Sequence, residues 1–217
     1  MRQDFVRIAV EIKDLENKII NDDCMNILKQ LPDKCIDLVL TDPPYGIGNK
    51  FKGGTNSKLN KFNNIINKGW DNVPSDECFN EILRVSKNQI IWGGNYFNLA
   101  PTRCFLIWDK MISFDFSLAM AEYAWTSFDK LAKIYRMPSE KRLREHPTQK
   151  PLKLFKMILR DYSKENDLVL DCFSGSGTTA VACHRLKRRF ICIEKDPEYW
   201  AKSCERLKAE QAQTRLF

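Results

Sequence analysis

Short apolar runs recur along the chain, and each stops at a punctuating residue. "CIDLVLTDPPY" (35–45) ends in an acid and two prolines, "NQIIWGGNYF" (88–97) in two glycines, and "RCFLIWDK" (103–110) in a charged pair. Runs this short, rich in β-branched and aromatic residues and bounded by Gly, Pro or Asp, predict buried strands. Farther on, "NDLVLDCFSGSGTTAVACHRLKRRFICIEKD" (166–196) reads as strand, glycine turn, helix and strand within roughly thirty residues, the length of a βαβ unit. Elsewhere the period is helical. "PSDECFNEILRVSK" predicts a helix capped by Ser75 or Asp76, with Phe79, Ile82 and Leu83 inward. "PLKLFKMILRDYS" predicts another, opening near Pro151 with Leu154, Met157 and Ile158 as its stripe. "PEYWAKSCERLKAEQAQ" predicts a last helix facing the core with Trp200, Cys204 and Leu207.

Alternating strands and helices imply an α/β fold: a Rossmann-like, doubly wound and mostly parallel sheet covered on both faces. Two stretches lack such periodicity. About 46–70 is polar and rich in Gly and Asn, the composition of a flexible loop, and a loop of that length in a compact domain is usually functional. About 110–145 reads as irregular and basic.

At 217 residues the chain suits one domain, 1–217. It has no apolar run long enough for a bilayer and no secretory pattern at its N-terminus, so a cytoplasmic protein with no membrane partner is expected. The eight cysteines never form a C-x-x-C pair and there are two histidines, so no metal site is expected and the thiols should be reduced and mostly buried. The formal charge of +7 favours a polyanionic partner. Lys50, Lys52, Lys58, Lys61 and Lys68 lie in the first irregular stretch. Arg136, Lys141, Arg142 and Arg144 lie in the second.

"DCFSGSGTTA" carries Gly175 and Gly177 between a strand and an apolar helix, a turn that lets backbone N–H groups approach a ligand. Glu194 follows the next strand roughly twenty residues later, where an acid commonly accepts from a ribose. The third glycine of a dinucleotide fingerprint is absent and Asp171 would repel phosphate, so an amino-bearing nucleoside fits better than NAD. In a parallel sheet this turn and "DPPY" share the carboxyl edge, where ligands bind.

"DPPY", then "HPTQKP", then "DCFSGSGTT" resemble, in that order, the β group of amino DNA methyltransferases, of a small phage-like or restriction-modification type. The resemblance covers roughly 20–205. It implies a circularly permuted methyltransferase fold with a small target-recognition insertion at about 110–145, and S-adenosylmethionine as cofactor. The implied cofactor residues are Asp23 and Cys24 near the adenine, Asp42, then Thr148, Gln149 and Lys150, the glycine turn (Asp171, Phe173, Ser174, Gly175, Ser176, Gly177, Thr178 and Thr179), and Glu194 at the ribose. Cys172 stands where many relatives have proline. Asp42, Pro43, Pro44 and Tyr45 are the implied catalytic residues: the Asp42 carboxylate and the Pro43 carbonyl accept from an exocyclic amine, and Tyr45 stacks on a base taken out of the helix.

"DPPY" resembles adenine-N6 enzymes, with cytosine-N4 transfer as the alternative. Ring-carbon methylation needs a Pro-Cys nucleophile that the sequence lacks. The implied partner is double-stranded DNA, and a homodimer and a cognate restriction endonuclease are both allowed. Other readings stay open: "DPPY" as a rigid turn only, Trp108 as packing or as a neighbour of the base, Asn95 near the pocket, and the lysine stretch as a solvated loop. A cofactor- and DNA-binding relative without catalysis is a rival. A nicotinamide oxidoreductase fits the glycine pattern worse.

Overall fold

The apolar runs become strands of one eight-stranded sheet in the computed structural model, which describes residues 11–47, 72–112, 119–138 and 149–214. The strands are β1 (Lys18–Asn21), β2 (Ile36–Thr41), β3 (Ser86–Trp92), β4 (Phe105–Asp109), β5 (Ala121–Thr126), β6 (Lys133–Arg136), β7 (Leu168–Asp171) and β8 (Arg189–Glu194). Their order across the sheet is β1-β8-β7-β2-β3-β5-β4-β6. From β1 to β3 all neighbours are parallel; β5 runs against both β3 and β4, and β6 returns parallel to β4.

Six α-helices and one 3-10 turn (Gly94–Tyr96) belong to the described residues, the α-helices being α1 (Ile12–Leu15), α2 (Cys24–Leu28), α3 (Asp76–Val85), α4 (Leu152–Tyr162), α5 (Thr178–Arg185) and α6 (Pro197–Thr214). Two apolar cores follow, one on each face of the sheet. In one, Leu154, Phe155 and Ile158 of α4, Val181 of α5 and Leu207 of α6 meet Leu38, Leu40 and Trp92. In the other, Ile27 and Leu28 of α2 and Phe79 and Ile82 of α3 meet Val39, Ile91 and Leu170. Burying each such side chain contributes about 1.5–3 kcal/mol. Central strands lie between both layers, which is why β7 is buried at every position and reads as an unbroken apolar run.

Ser75 is the cap of α3, its Oγ accepting from the Cys78 N–H at 3.4 Å, and Asp76 and Glu77 complement the helix dipole. The inward face of α3 is Cys78, Phe79, Ile82 and Val85, with Leu83 only half-buried. On α4, Phe155 and Leu159 join Leu154 and Ile158, and Met157 packs from the rim. Leu207 of α6 is buried, while Trp200 and Cys204 are half-buried against the core. All eight cysteines are free and six are buried.

The stretch 110–145 is not irregular throughout, since β5 and β6 lie within it. β1 is a further strand that the sequence pattern did not reveal. β1 and β6 are four-residue edge strands in which two and three side chains respectively are exposed, so neither carries the long apolar run that marks a central strand.

The chain leaves β7 toward β8 on one side and β2 toward β3 on the other. Connections therefore diverge between β7 and β2, opening a crevice at their carboxyl ends. That crevice receives both the glycine turn and "DPPY".

Candidate active site

Asp42 follows the last residue of β2 and Asp171 is the last of β7, so strand pairing brings the two acids together at one edge. Thr41 joins them, its hydroxyl donating to Asp171 Oδ1 at 2.8 Å. Thr179 donates to Asp171 Oδ2 at 2.5 Å, and the Phe173 N–H donates to Oδ1 at 3.1 Å. Burial pushes the Asp171 carboxyl up to about 6, against these hydrogen bonds. Both of its oxygens are occupied by protein donors, so Asp171 ties the glycine turn to β2.

Gly175 and Gly177 have φ of +52° and +73°, values in the left-handed region that side chains seldom adopt. A Cβ on Gly177 would press Ser203 at 3.0 Å, whereas one on Gly175 would meet nothing within 4 Å. Gly177 therefore serves packing and Gly175 borders open space. Glu194, ending β8, accepts from the Gly175 N–H at 2.7 Å and the Asp196 N–H at 2.9 Å. Burial raises its carboxyl above the usual range, against those bonds. Beside it, Asp23 caps α2 through the Met25 N–H at 3.0 Å and pairs with Lys195 at 2.9 Å, which holds its carboxyl low. Cys24 is buried, 3.9 Å from the Cys78 sulfur.

The "DPPY" turn is held from three sides. The Tyr45 hydroxyl donates to Asp42 Oδ1 at 2.6 Å. Its ring stacks on Tyr96 with centroids 5.1 Å apart, and Phe97 meets it edge-on. Beneath it lies Gly93, where a Cβ would come within 2.2 Å of the Tyr45 ring. Gly93, just after β3, is thus a floor for Tyr45.

Lys150 approaches from the segment before α4, its Nζ 2.5 Å from Asp42 Oδ2, 2.9 Å from Glu122 Oε2 and 3.3 Å from the Tyr45 hydroxyl. Its side chain is 4% exposed and lies over the Tyr45 and Trp92 rings, at 5.7 and 5.3 Å. Burial works to remove the Lys150 charge, but Asp42 and Glu122 outweigh it and hold the ammonium above its ordinary value. For Asp42 burial prevails, aided by Glu122, so its carboxyl is raised despite Lys150. Burial and the neighbouring Asp42 raise the Tyr45 phenol as well. Glu122 has a second partner, Lys110, at 2.7 Å. Burial opposes its charge, yet the two lysines keep its carboxyl low.

Glu122 was missed from the sequence; its signal is an acid beside Ala124 and Trp125 in an otherwise apolar strand. The reversed direction of β5 brings its start to the carboxyl edge, opposite Trp108. Trp108 is packing, 2% exposed with Nε1 donating to the Met137 carbonyl at 2.9 Å. Arg136 ends β6 with a 70% exposed side chain, 3.4 Å from Asp109. Thr148, Lys141, Arg142 and Arg144, and Lys50, Lys52, Lys58, Lys61 and Lys68, lie outside the described residues. Among the described residues no cluster of His, Cys, Asp or Glu is arranged to hold a metal ion, and no helix is long and apolar enough to cross a membrane.

The chain is similar to known proteins. The Type II methyltransferase M.HinfI of Haemophilus influenzae is 27% identical over 243 aligned positions, covering 87% of this chain and 67% of that protein. M2.DpnII of Streptococcus pneumoniae, also a Type II methyltransferase, is 27% identical over 88% of this chain and 90% of its own. Among solved structures, an M1.HpyAVI–SAM complex superposes with a TM-score of 0.57 at 24% identity, covering 88% of this chain and 98% of that one, a likeness of fold. The family model described as DNA methylase, which spans N6 and N4 enzymes, matches residues 91–205, more than half of the sequence. With Glu122, Lys150, the glycine turn and Glu194 all inside that match, the chain belongs to the N6/N4 DNA methylase family.

Proposed function

We propose that this chain transfers a methyl group from S-adenosylmethionine to the N6 amino group of an adenine flipped out of double-stranded DNA. The observation that carries the reading is the junction at the switch point: the Asp42 turn and the glycine turn are tied through Thr41 and Asp171 at 2.8 Å. We read residues 1–217 as one methyltransferase domain that works in the cytoplasm, where bacterial DNA is.

The residues fit the cofactor. Gly175 borders open space, and the buried Ser174 hydroxyl has no hydrogen-bond partner among the described residues. Glu194 keeps unused lone pairs for a ribose diol, and Asp23 and Cys24 line the neighbouring edge. When bound, S-adenosylmethionine supplies an electrophilic methyl group.

An exocyclic amine is a weak nucleophile because its lone pair is delocalised into the ring. Asp42 accepts one of its N–H bonds and the Pro43 carbonyl the other, which favours a pyramidal nitrogen with its lone pair free. Lys150 and Tyr45 engage Asp42 now, yet a carboxylate has about four lone-pair sites, so room for the amine remains. Tyr45, rigid on Gly93 and Tyr96, offers a flat face to the base. Once the N–C bond forms, the nitrogen must lose a proton, and Asp42, with its raised carboxyl, is the adjacent acceptor. Alignment supplies most of the acceleration, and no covalent enzyme intermediate is needed. Arg136, at the same edge, is positioned for a phosphate.

The test is incubation with unmethylated duplex DNA and methyl-labelled S-adenosylmethionine, then digestion and mass spectrometry of the nucleosides. Labelled N6-methyladenine is expected. Labelled N4-methylcytosine would keep the chemistry and change the base; no labelled nucleoside, or full transfer by Asp42→Ala, would overturn the proposal.

A further inference from the structure

Four charges form a line of alternating sign through the site: Lys110, Glu122, Lys150 and Asp42, with successive contacts of 2.7, 2.9 and 2.5 Å. Only the last belongs to the catalytic turn. An acid at the second position of β5, between Ala121 and Tyr123, gains nothing from burial, since a hydrophobic side chain of similar size is generally as stable there. The contact it makes is therefore what has to be explained. Lys150 has three N–H bonds: it donates to Asp42 and Tyr45, and Glu122 Oε2 stands 2.9 Å from the ammonium as an ion-pair partner with no hydrogen bond among the described residues. Without Glu122, nothing on the β5 side would keep the ammonium from tilting fully onto Asp42, and an Asp42 saturated by Lys150 is a poorer acceptor for an amine.

Resting on the reading of Asp42 as the amine's acceptor, we infer that Glu122 is a positioning residue for methyl transfer: it shares the Lys150 ammonium with Asp42 and so sets the orientation and the accepting strength of the Asp42 carboxylate. Lys110 acts one step farther out, dividing the charge of Glu122 between two lysines. The charged and titratable groups facing this line are Asp42 and Tyr45 after β2, Lys110 after β4 and Lys150 before α4; Asp171 at the end of β7 faces Asp42, and Tyr96 faces Tyr45.

Glu122 and Lys110, the two members farthest from Asp42, make opposite predictions. In Glu122→Gln the negative charge beside Asp42 is gone and Lys150 is left to Asp42, so Asp42 becomes more acidic and the acid limb of the pH profile of kcat/KM moves to lower pH. In Lys110→Gln the positive charge is gone and Glu122 draws Lys150 toward itself, so the limb moves to higher pH. The assay is transfer of labelled methyl to duplex DNA by the full chain, with KM for cofactor and DNA measured separately. Glu122→Gln is expected to lower kcat at least tenfold with both KM values within about threefold of wild type, and Glu122→Asp to recover part of the loss.

A purely structural role would lower activity without moving the limb. The inference is overturned if Glu122→Gln keeps the wild-type limb, or if both variants shift it the same way. Should Glu122→Gln fail to fold, Lys110→Gln decides alone, and an unmoved limb there refutes the proposal. Asp42→Ala separates this test from its parent: if that variant is dead while Glu122→Gln behaves as wild type, only the role of Glu122 falls.

Discussion

Lys150→Met is the sharpest test of how this site is held together. Methionine keeps most of the volume and removes the charge, leaving Asp42 and Glu122 as neighbouring carboxylates without their shared cation. Their side chains are 19% and 23% exposed, so water screens them only in part. Breaking a buried pair from one side costs roughly 3–5 kcal/mol. At about 2–4 °C per kcal/mol for a chain of this size, Tm should fall by roughly 6–20 °C at pH 8. The pH dependence carries more information than the size. Lys150 lowers both carboxyls, so its loss raises Asp42, already above its unfolded value, still farther and lifts Glu122, which keeps Lys110. The folded variant then binds more protons than the unfolded chain, and its stability falls as pH rises through those raised values. The Tm gap to wild type must therefore be widest above neutral pH and narrow toward pH 5. Thermal melts of both proteins from pH 5 to 8 measure it. A gap under about 2 °C at pH 8, or one that widens in acid, would refute the buried-cation account.

Gly93→Ala sets a Cβ 2.2 Å from the Tyr45 ring on a backbone at φ +68°, so methyl transfer should drop at least tenfold while cofactor affinity, measured by calorimetry, stays near wild type. Asp171, with its carboxyl raised to about 6, binds a proton more tightly folded than unfolded, so wild type should lose stability between pH 4 and 6; in Asp171→Asn that component of the pH–stability curve should vanish. Arg136→Glu should weaken DNA binding at low salt and reduce the slope of log K against log salt by about one unit for the lost phosphate contact, with no change in cofactor affinity.

Local signals carried the centre of the fold. β2, β3, β7 and β8 are buried on both faces, and their apolar runs end where Pro, Gly or Asp must begin a turn, so the strands, the glycine turn and the order of the motifs were all legible. The capped α3 and the stripe of α4 were legible for the same reason, although their inward faces include Cys78 and Phe155, which helical spacing alone did not single out. The edge strands β1 and β6 were not, because a strand with one open side needs no apolar run.

Chemistry divides along the same line. The primary sequence by itself determined that Asp42 and Tyr45 stand in a stiff turn after a strand and that Gly175 and Gly177 open a helix, since proline and positive-φ glycine act on their own backbone. Only the tertiary structure decided what those residues touch. Lys150 meets Asp42 across 108 positions of chain, Thr41 meets Asp171 across 130, and Glu122 reaches the same edge because β5 runs backwards. Charge pairing over such separations leaves no periodicity to read, since it depends on strand order and direction, and these are set by how the whole sheet buries its two cores.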